Sequence, residues 1–299
     1  MTPEVSVIIP TYNRRAMVLE AIDSVHAQSI REFELIVVDD GSTDGSAKHL
    51  KGLAETVRIE RIEHRGPAAA RNHGVALARA PLIAFLDSDD LWLRAKLECQ
   101  LAFMRANPDC AISQTNEIWI RNGRRVNPGV RHRKRAGDIF IDSLRTCLIS
   151  MSATMMRAGL FRSLGGFDET MVAAEDYDLW LRILINHEAG LLDEPLVTRR
   201  GGHPDQTSAT TPALDRFRIL ALTKLLADDR LSQTRRTAVV EVLAEKCRIY
   251  SGGLARRGRL DQARLYERIA DQAQDWRAAE IGCAIKSMRS RLREIPHEC

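Results

Sequence analysis

Short apolar runs and polar turns alternate along the first ninety residues, at spacings that predict strands and helices in turn. Val5-Ser6-Val7-Ile8-Ile9 is a mostly β-branched run that Pro10 stops. Thr11-Tyr12-Asn13-Arg14-Arg15 reads as a loop, with Asn13 as cap of a helix over residues 16–27, whose Met17, Val18, Ala21, Ile22 and Val25 make one apolar stripe. Residues 33–38 form a second buried strand, closed by the turn Asp39-Asp40-Gly41-Ser42-Thr43-Asp44. A helix over about 44–53 and a strand over 57–62 follow. After Gly66-Pro67 the alanines 68–70 and Val75, Ala76, Leu77 and Ala78 predict a helix small enough in section to pack closely on a sheet, with Arg71 and Asn72 polar near its start. Leu82-Ile83-Ala84-Phe85-Leu86 is too short for a helix and reads as a buried strand ending in Asp87-Ser88-Asp89-Asp90. Strand and helix thus alternate as β-α-β-α-β-α-β, the pattern of a doubly wound parallel sheet.

Two of these strands end in acidic turns on the same sheet edge, and open α/β sheets bind ligands beyond the carboxyl ends of their strands. Carboxylates crowded as in Asp87-x-Asp89 repel unless a cation lies between them, which points to a hard divalent ion, Mg²⁺ or Mn²⁺, completed by phosphate oxygens. The bland alternative is a solvated acidic loop, with Asp90 capping a helix from Leu91. The chain lacks G-x-G-x-x-G after its first strand and lacks a P-loop, so glycine backbone does not cradle a phosphate here. A metal and basic side chains must do so.

At 299 residues the chain suits one large α/β domain with an appendage, and 44% hydrophobic content supports a substantial core. A net charge of +4 is small for a nucleic-acid binder, but it is uneven. Residues 213–299 carry 18 Lys and Arg against 12 Asp and Glu, leaving 26 against 28 in residues 1–212. Six cysteines without metal-ligand or disulfide spacing, and an N-terminus without a secretory pattern, favour reduced thiols in the cytoplasm. No apolar run approaches the roughly 18 residues of a membrane span.

Six stretches in order resemble the family 2 glycosyltransferases, nucleotide-sugar enzymes of the GT-A fold. They are Val7-Ile8-Ile9-Pro10-Thr11-Tyr12-Asn13-Arg14, the stretch from Ile36 through Asp39-Asp40-Gly41-Ser42 to Asp44, Ala70-Arg71-Asn72, Phe85-Leu86-Asp87-Ser88-Asp89-Asp90, Leu164-Gly165-Gly166-Phe167-Asp168-Glu169, and Glu175-Asp176 through Arg182. The resemblance covers roughly residues 3–210. It implies a Rossmann-like, mainly parallel sheet over residues 1–212, followed by an all-helical segment over 213–299. It further implies that Pro10, Thr11 and Tyr12 line a nucleoside pocket and that Asp40 accepts a hydrogen bond from a pyrimidine N–H. Asp89 would bind the metal, Mn²⁺ or Mg²⁺, that bridges the donor diphosphate, with Asp87 on ribose or a metal-bound water. Asp176 would be the general base that deprotonates the acceptor. Physical chemistry agrees: a nucleoside diphosphate leaves only when its charge is offset, and a sugar hydroxyl attacks only as its proton is accepted. In line, the two give inversion.

Other residues carry rival readings. Asp39 suits anchoring its own turn. Arg71 fits either a phosphate contact or an ion pair with the acidic crest, and Asp168 either a helix cap or an acceptor contact. Trp180 fits core packing in a helix over 175–185, or a place under the acceptor as the family often has it. Glu175 could tune its neighbour Asp176 by like-charge repulsion. His203, in a Gly/Pro loop that runs on through Pro204 to Ser208, could contact metal or phosphate as that loop closes over the diphosphate.

The Q-x-x-R-W signature of polymerising synthases is absent, which with the lack of spans argues for one sugar per encounter. The motif-poor region 118–142 falls where an acceptor should sit, and its basic run Arg131-His132-Arg133-Lys134-Arg135 suits either an anionic acceptor, such as a phospholipid-linked sugar, or a solvated loop.

Beyond Pro212 helical stripes run through Phe217, Leu220, Ala221, Lys224 and Leu225, then Val239, Val242, Leu243 and Lys246, then Leu260, Ala263, Leu265 and Ile269. Gly252-Gly253 and Gly258 read as breaks. Arg256, Arg257, Arg259, Arg289, Arg291 and Arg293 make the polar face positive, suited to anionic lipid at the inner membrane face, to a plain helical cap or to a homodimer surface. The expected partners are a nucleotide-sugar donor and a glycan or lipid-linked glycan acceptor, with no nucleic acid. Two other classes fit the acidic strand end: a haloacid-dehalogenase-like phosphohydrolase, which leaves the Pro10–Asn13 and Asp39–Ser42 stretches unexplained, and a catalytically silent nucleotide-sugar binding protein.

Overall fold

The computed structural model describes residues 2–53, 57–203, 211, 213–276 and 278–293. The first ninety residues fold as the alternation predicts: β1 (Val5–Thr11), α1 (Arg15–His26), β2 (Phe33–Asp39), α2 (Ser46–Lys51), β3 (Arg58–Arg61), α3 (Pro67–Leu77) and β4 (Leu82–Phe85). These strands lie parallel in the order β3-β2-β1-β4. β1 runs through Pro10 to Thr11 rather than stopping, because Pro10 lies past the last β1–β4 pair, Ile8 with Phe85.

Alternation within each strand divides the core into two layers. Val5, Val7, Ile9, Leu35, Val37, Leu82 and Ala84 face α1 and α4 (Lys96–Ala106). Ile8, Ile36, Val38, Ile83 and Phe85 face the other way, against α3, α7 (Glu175–Leu184) and the C-terminal helices. Helix α3 lies so close to the sheet that a Cβ on Gly74 would sit 2.5 Å from Ile8 Cγ2. The small residues predicted there serve that approach.

The sheet continues through elements that carry no strong pattern. These are β5 (Leu91–Trp92), β6 (Ile112–Arg121), β7 (Arg124–Val126), β8 (Thr154–Arg157) and β9 (Ala189–Gly201), with α5 (Phe140–Arg145) and α6 (Ala158–Ser163) between them. Antiparallel β8 joins β4 to β6, β6 pairs parallel with β9, and β9 carries β5 at the edge. Leu91 therefore begins a short strand and not a helix, and Asp90 is no helix cap. Its carboxylate instead accepts from Ser152 Oγ at 2.6 Å and from the Arg200 N–H at 2.9 Å. Asn13 does not cap α1 either. It has φ of 50° and bridges loops, donating to Ser42 Oγ and accepting from the Thr43 N–H, while Asp44 receives the Arg15 N–H.

Helices α8 (Asp215–Leu225), α9 (Gln233–Arg256), α10 (Leu260–Gln272) and α11 (Ala278–Arg293) follow. Phe217, Leu220, Val239, Leu243 and Ile269 join the same apolar cluster as Phe85 and Tyr177. Pro212, the expected boundary, lies outside the described residues. Helix α9 runs unbroken through Gly252-Gly253 and ends at Arg256, because Tyr250 stacks edge-on with Tyr266 and Leu254 is buried against α10. Two residues expected on apolar stripes do other work: Lys224 is ion-paired with Asp168 and Asp178, and Lys246 with Asp215. Leu260 is exposed. Among the described residues no helix is long and apolar enough to cross a membrane.

Candidate active site

Three acidic strand ends meet at one edge of the sheet. Asp39 anchors its turn, accepting the Ser42 N–H at 2.9 Å, and Gly41 at φ of 78° completes it where a Cβ would meet the His64 backbone at 3.0 Å. Asp40 turns into the loop before α3: it accepts from His64 Nδ1 at 2.8 Å and from the backbone N–H groups of Arg65 and Gly66, each at 2.9 Å. Pro10 and Thr11 are buried at the end of β1, whereas Tyr12 is 40% exposed and stacks on His64 with centroids 3.9 Å apart. The strand ends thus present a planar pair, Tyr12 and His64, beside a fixed carboxylate. His64 carries no motif and was invisible in the linear pattern.

At the end of β4, Asp87, Asp89 and Asp90 each place a carboxylate oxygen within 4.8 Å of the others. They are not equivalent. Burial, then the charges of Asp89 and Asp87, push Asp90 well above the usual carboxylate range, and both of its oxygens already accept hydrogen bonds. Asp87 and Asp89 remain as hard oxygen donors at a spacing that fits one Mg²⁺ or Mn²⁺ shared with phosphate oxygens. Asp89 Oδ2 lies 3.0 Å from Arg14 Nη1 and 2.9 Å from His203 Nε2, so His203 does reach this cluster. The rest of its loop, residues 204–210, lies outside the described residues.

Arg71 ties this cluster to the far wall. One guanidinium nitrogen donates to Asp87 Oδ1 at 2.8 Å and another to Glu175 Oε1 at 2.7 Å. Burial alone would push Arg71 toward neutrality, but Asp87 and Glu175 outweigh it and raise its pKa above the ordinary value. Arg71 is therefore a strut within the protein, where a nucleotide contact was one of the expectations. Burial likewise pushes Glu175 up; Arg71 draws it back, Asp176 adds to the push, and the net shift is upward. Glu175 is thus spent on Arg71 and does not face an acceptor. Ala174, just ahead, holds φ of 58°, a backbone strain at the point where α7 begins.

Asp176 is half-buried beside this pair. Its Oδ1 accepts the Tyr177 N–H at 2.7 Å and its Oδ2 lies 3.7 Å from the Cys147 thiol, which burial and Asp176 hold well above its usual pKa. Trp180 is 2% exposed and packs edge-on against Phe167, so it belongs to the core and not to an acceptor platform. Asp168 neither caps a helix nor faces a ligand: Lys224 and Arg289 hold it at 2.7 and 2.8 Å.

A mainly parallel sheet with paired carboxylates at one strand end, opposed by an acid pair at the start of a helix, is the arrangement of a GT-A glycosyltransferase. The family model for glycosyl transferase family 2 matches residues 6–165, and the chain belongs to that family. This membership sets aside the phosphohydrolase alternative. The matches span only 28–32% of the length of the first curated relatives, uncharacterized glycosyltransferases of Rickettsia. The Escherichia coli enzyme WfgD, a UDP-Glc:alpha-D-GlcNAc-diphosphoundecaprenol beta-1,3-glucosyltransferase, is 35% identical over 182 residues, 60% of this chain and 69% of WfgD. Among solved structures, S. aureus TarS 1–349 with UDP-GlcNAc superposes with a TM-score of 0.62 at 20% identity, covering 93% of each chain. The mannosyltransferase PcManGT of Pyrobaculum calidifontis, with GDP-Man and Mn²⁺, gives 0.56 at 19% identity, covering 97% of this chain and 85% of that one.

Proposed function

We propose that the chain transfers a single sugar from a nucleoside-diphosphate donor, UDP-linked in the first instance, to an acceptor hydroxyl with inversion, in the synthesis of a cell-surface polysaccharide or glycoconjugate. The observation that carries this reading is the Arg71 bridge, which sets Asp87 and Asp89 across from Asp176 in one site. Tyr12 with His64 offers a flat surface for the base. Pro10 and Thr11 form the floor of that pocket, and Asp40, already fixed by three donors, offers its remaining lone pairs to a ring N–H.

Asp89 and Asp87 would hold the divalent ion, which when bound offsets negative charge on the leaving diphosphate. Arg14 and His203, both against Asp89, supply further positive charge on that side. On the other side Asp176 accepts the proton of the attacking hydroxyl as the new bond to the anomeric carbon forms and the bond to the diphosphate breaks. Glu175 stays locked to Arg71 and keeps the first turn of α7 in place. WfgD, whose name specifies a UDP-sugar donor, supports the donor class, and PcManGT with Mn²⁺ supports the metal.

The test is release of nucleoside diphosphate from a panel of UDP- and GDP-sugars by the full chain with Mn²⁺ or Mg²⁺. Release that needs the metal and rises with a glycan acceptor is expected. Inorganic phosphate in its place, or binding without turnover, would refute the proposal.

A further inference from the structure

A second cavity, of about 350 Å³, opens at the carboxyl ends of β6 and β9 beside the acidic cluster. A larger one, about 620 Å³, lies at the opposite ends of the same strands around Cys110 and Gly190, with Asp109 and Glu188 in its wall and none of the site residues near it. The smaller cavity is the one with an unusual charge. Its lining includes Arg121, Arg131, Arg199, Arg200 and His132, and no Asp or Glu.

The framework beneath it is built and buried. Trp119 and Arg199 are register partners on β6 and β9, and the guanidinium lies 4.9 Å from the centre of the indole. The indole N–H donates to Glu117 Oε2 at 2.9 Å, and the Lys134 ammonium lies 3.1 Å from the other Glu117 oxygen. That acid is therefore neutralised inside the protein, with both side chains of the pair at most 5% exposed, and it does not balance the arginines. Arg200 is tied to Glu20 and to the Asp89 carbonyl. Arg131 donates only to His132 Nε2, and among the described residues Arg121, Arg131 and Arg199 make no ion pair with a carboxylate. Burial and the neighbouring positive charges of Arg131, Arg199 and Arg218 lower the pKa of His132. Guanidinium groups collected in one cavity without counter-charge mark a place for an anion, and their planar forks suit phosphate oxygens.

The cavity also adjoins the chemistry. The Arg200 N–H donates to Asp90, and the charges of Arg199 and Arg218 both act on Cys147, the neighbour of Asp176. Building on the transferase reading above, we infer that this cavity is an anion subsite for the acceptor, and that the acceptor is a sugar joined to a phosphate or diphosphate rather than a neutral glycan. Arg131 and His132 of the basic run supply it, whereas Lys134 is spent on Glu117 and Arg135 on Asp142. Arg199, held flat on Trp119, presents its N–H edge to the phosphate while the sugar extends toward Asp176.

The experiment compares, on the full chain, alkyl diphosphate-linked hexoses and N-acetylhexosamines with plain alkyl glycosides of the same sugars. The diphosphate-linked series should be preferred in kcat/KM by about 10- to 100-fold, the usual worth of a charge-assisted hydrogen bond. An Arg121→Gln/Arg131→Gln double variant should collapse that preference, and Arg131→Lys should retain much of it. Equal use of the two series, or a preference that survives the double variant, overturns the subsite. If no donor is turned over, the transferase reading fails instead, and the subsite is judged by calorimetry. Inorganic phosphate titrated into chain saturated with UDP and Mg²⁺ must then bind to the native chain and not to the double variant. Phosphatidylglycerol vesicles separate the other source of phosphate: equal use of the two acceptor series, with vesicle binding lost in the double variant, would assign the arginines to membrane lipid and overturn the proposal.

Discussion

Replacing Arg71 by Met removes the only bond that spans the site from β4 to α7 while keeping much of the buried stem. In the native chain the Arg71 and Glu175 side chains are 7% and 9% exposed, and their 2.7 Å contact is the partner that permits a carboxylate at that depth. Breaking a buried pair from one side leaves an uncompensated charge, at a cost of about 3–5 kcal/mol. Against a total of about 5–15 kcal/mol this is a large loss. With m near 3 kcal/mol/M, urea midpoints should fall by about 1–1.7 M. The loss should also depend on pH. Glu175 already has a raised pKa, so its ionised form costs stability as pH rises through that value, and removing Arg71 raises it further. The variant should therefore be weakest at pH 8 and recover toward wild type at about pH 5.5, where Glu175 takes up a proton without charge. A second change, Glu175→Gln, should restore part of the stability and flatten the pH dependence. Urea melts of the three proteins at both pH values make the comparison. A variant that melts at the wild-type urea concentration, or one whose loss is the same at both pH values, would refute the reasoning.

Asp176→Asn should leave nucleotide binding intact and lower kcat by about 10²–10⁴-fold, the range of general-base contributions, measured by nucleoside diphosphate release. Asp89→Ala should lose the metal-dependent part of UDP binding, seen as a thermal shift with UDP that Mn²⁺ no longer enlarges. Gly74→Val drives a side chain into Ile8, 2.5 Å from the new Cβ, and should cost about 1–3 kcal/mol with a matching fall in Tm. Burial works against the charge of Asp168, but its hydrogen bonds to Lys224 and Thr170 prevail and hold its carboxyl below the usual range. That contribution is complete above the unfolded pKa of about 3.9 and is lost as pH falls through the lower folded value, so Lys224→Met should move acid unfolding, followed by circular dichroism, to higher pH.

Along the first ninety residues the sequence by itself determined the fold, because each strand there is a continuous apolar run and each helix a regular stripe. The same stretch also announced its acidic strand ends, since carboxylates directly after buried strands have few purely structural uses. It determined little of β6, β8 and β9. Those strands mix polar with apolar positions: Gln114, Thr115 and Thr154 lie buried, and β6 bends at a bulge near Asn116, so no alternation survives to be read.

The roles within the site were decided only in three dimensions. Nothing in the linear order distinguishes Asp90, spent on Ser152 and Arg200, from Asp87 and Asp89, or tells that Arg71 would reach Glu175, 104 residues away, in place of a ligand. Trp180 and Asp168 were equally ambiguous until packing gave one to the core and the other to Lys224. A side chain's chemistry is written in its type, but its availability depends on which partners the fold brings within about 3 Å, and those partners come from far along the chain.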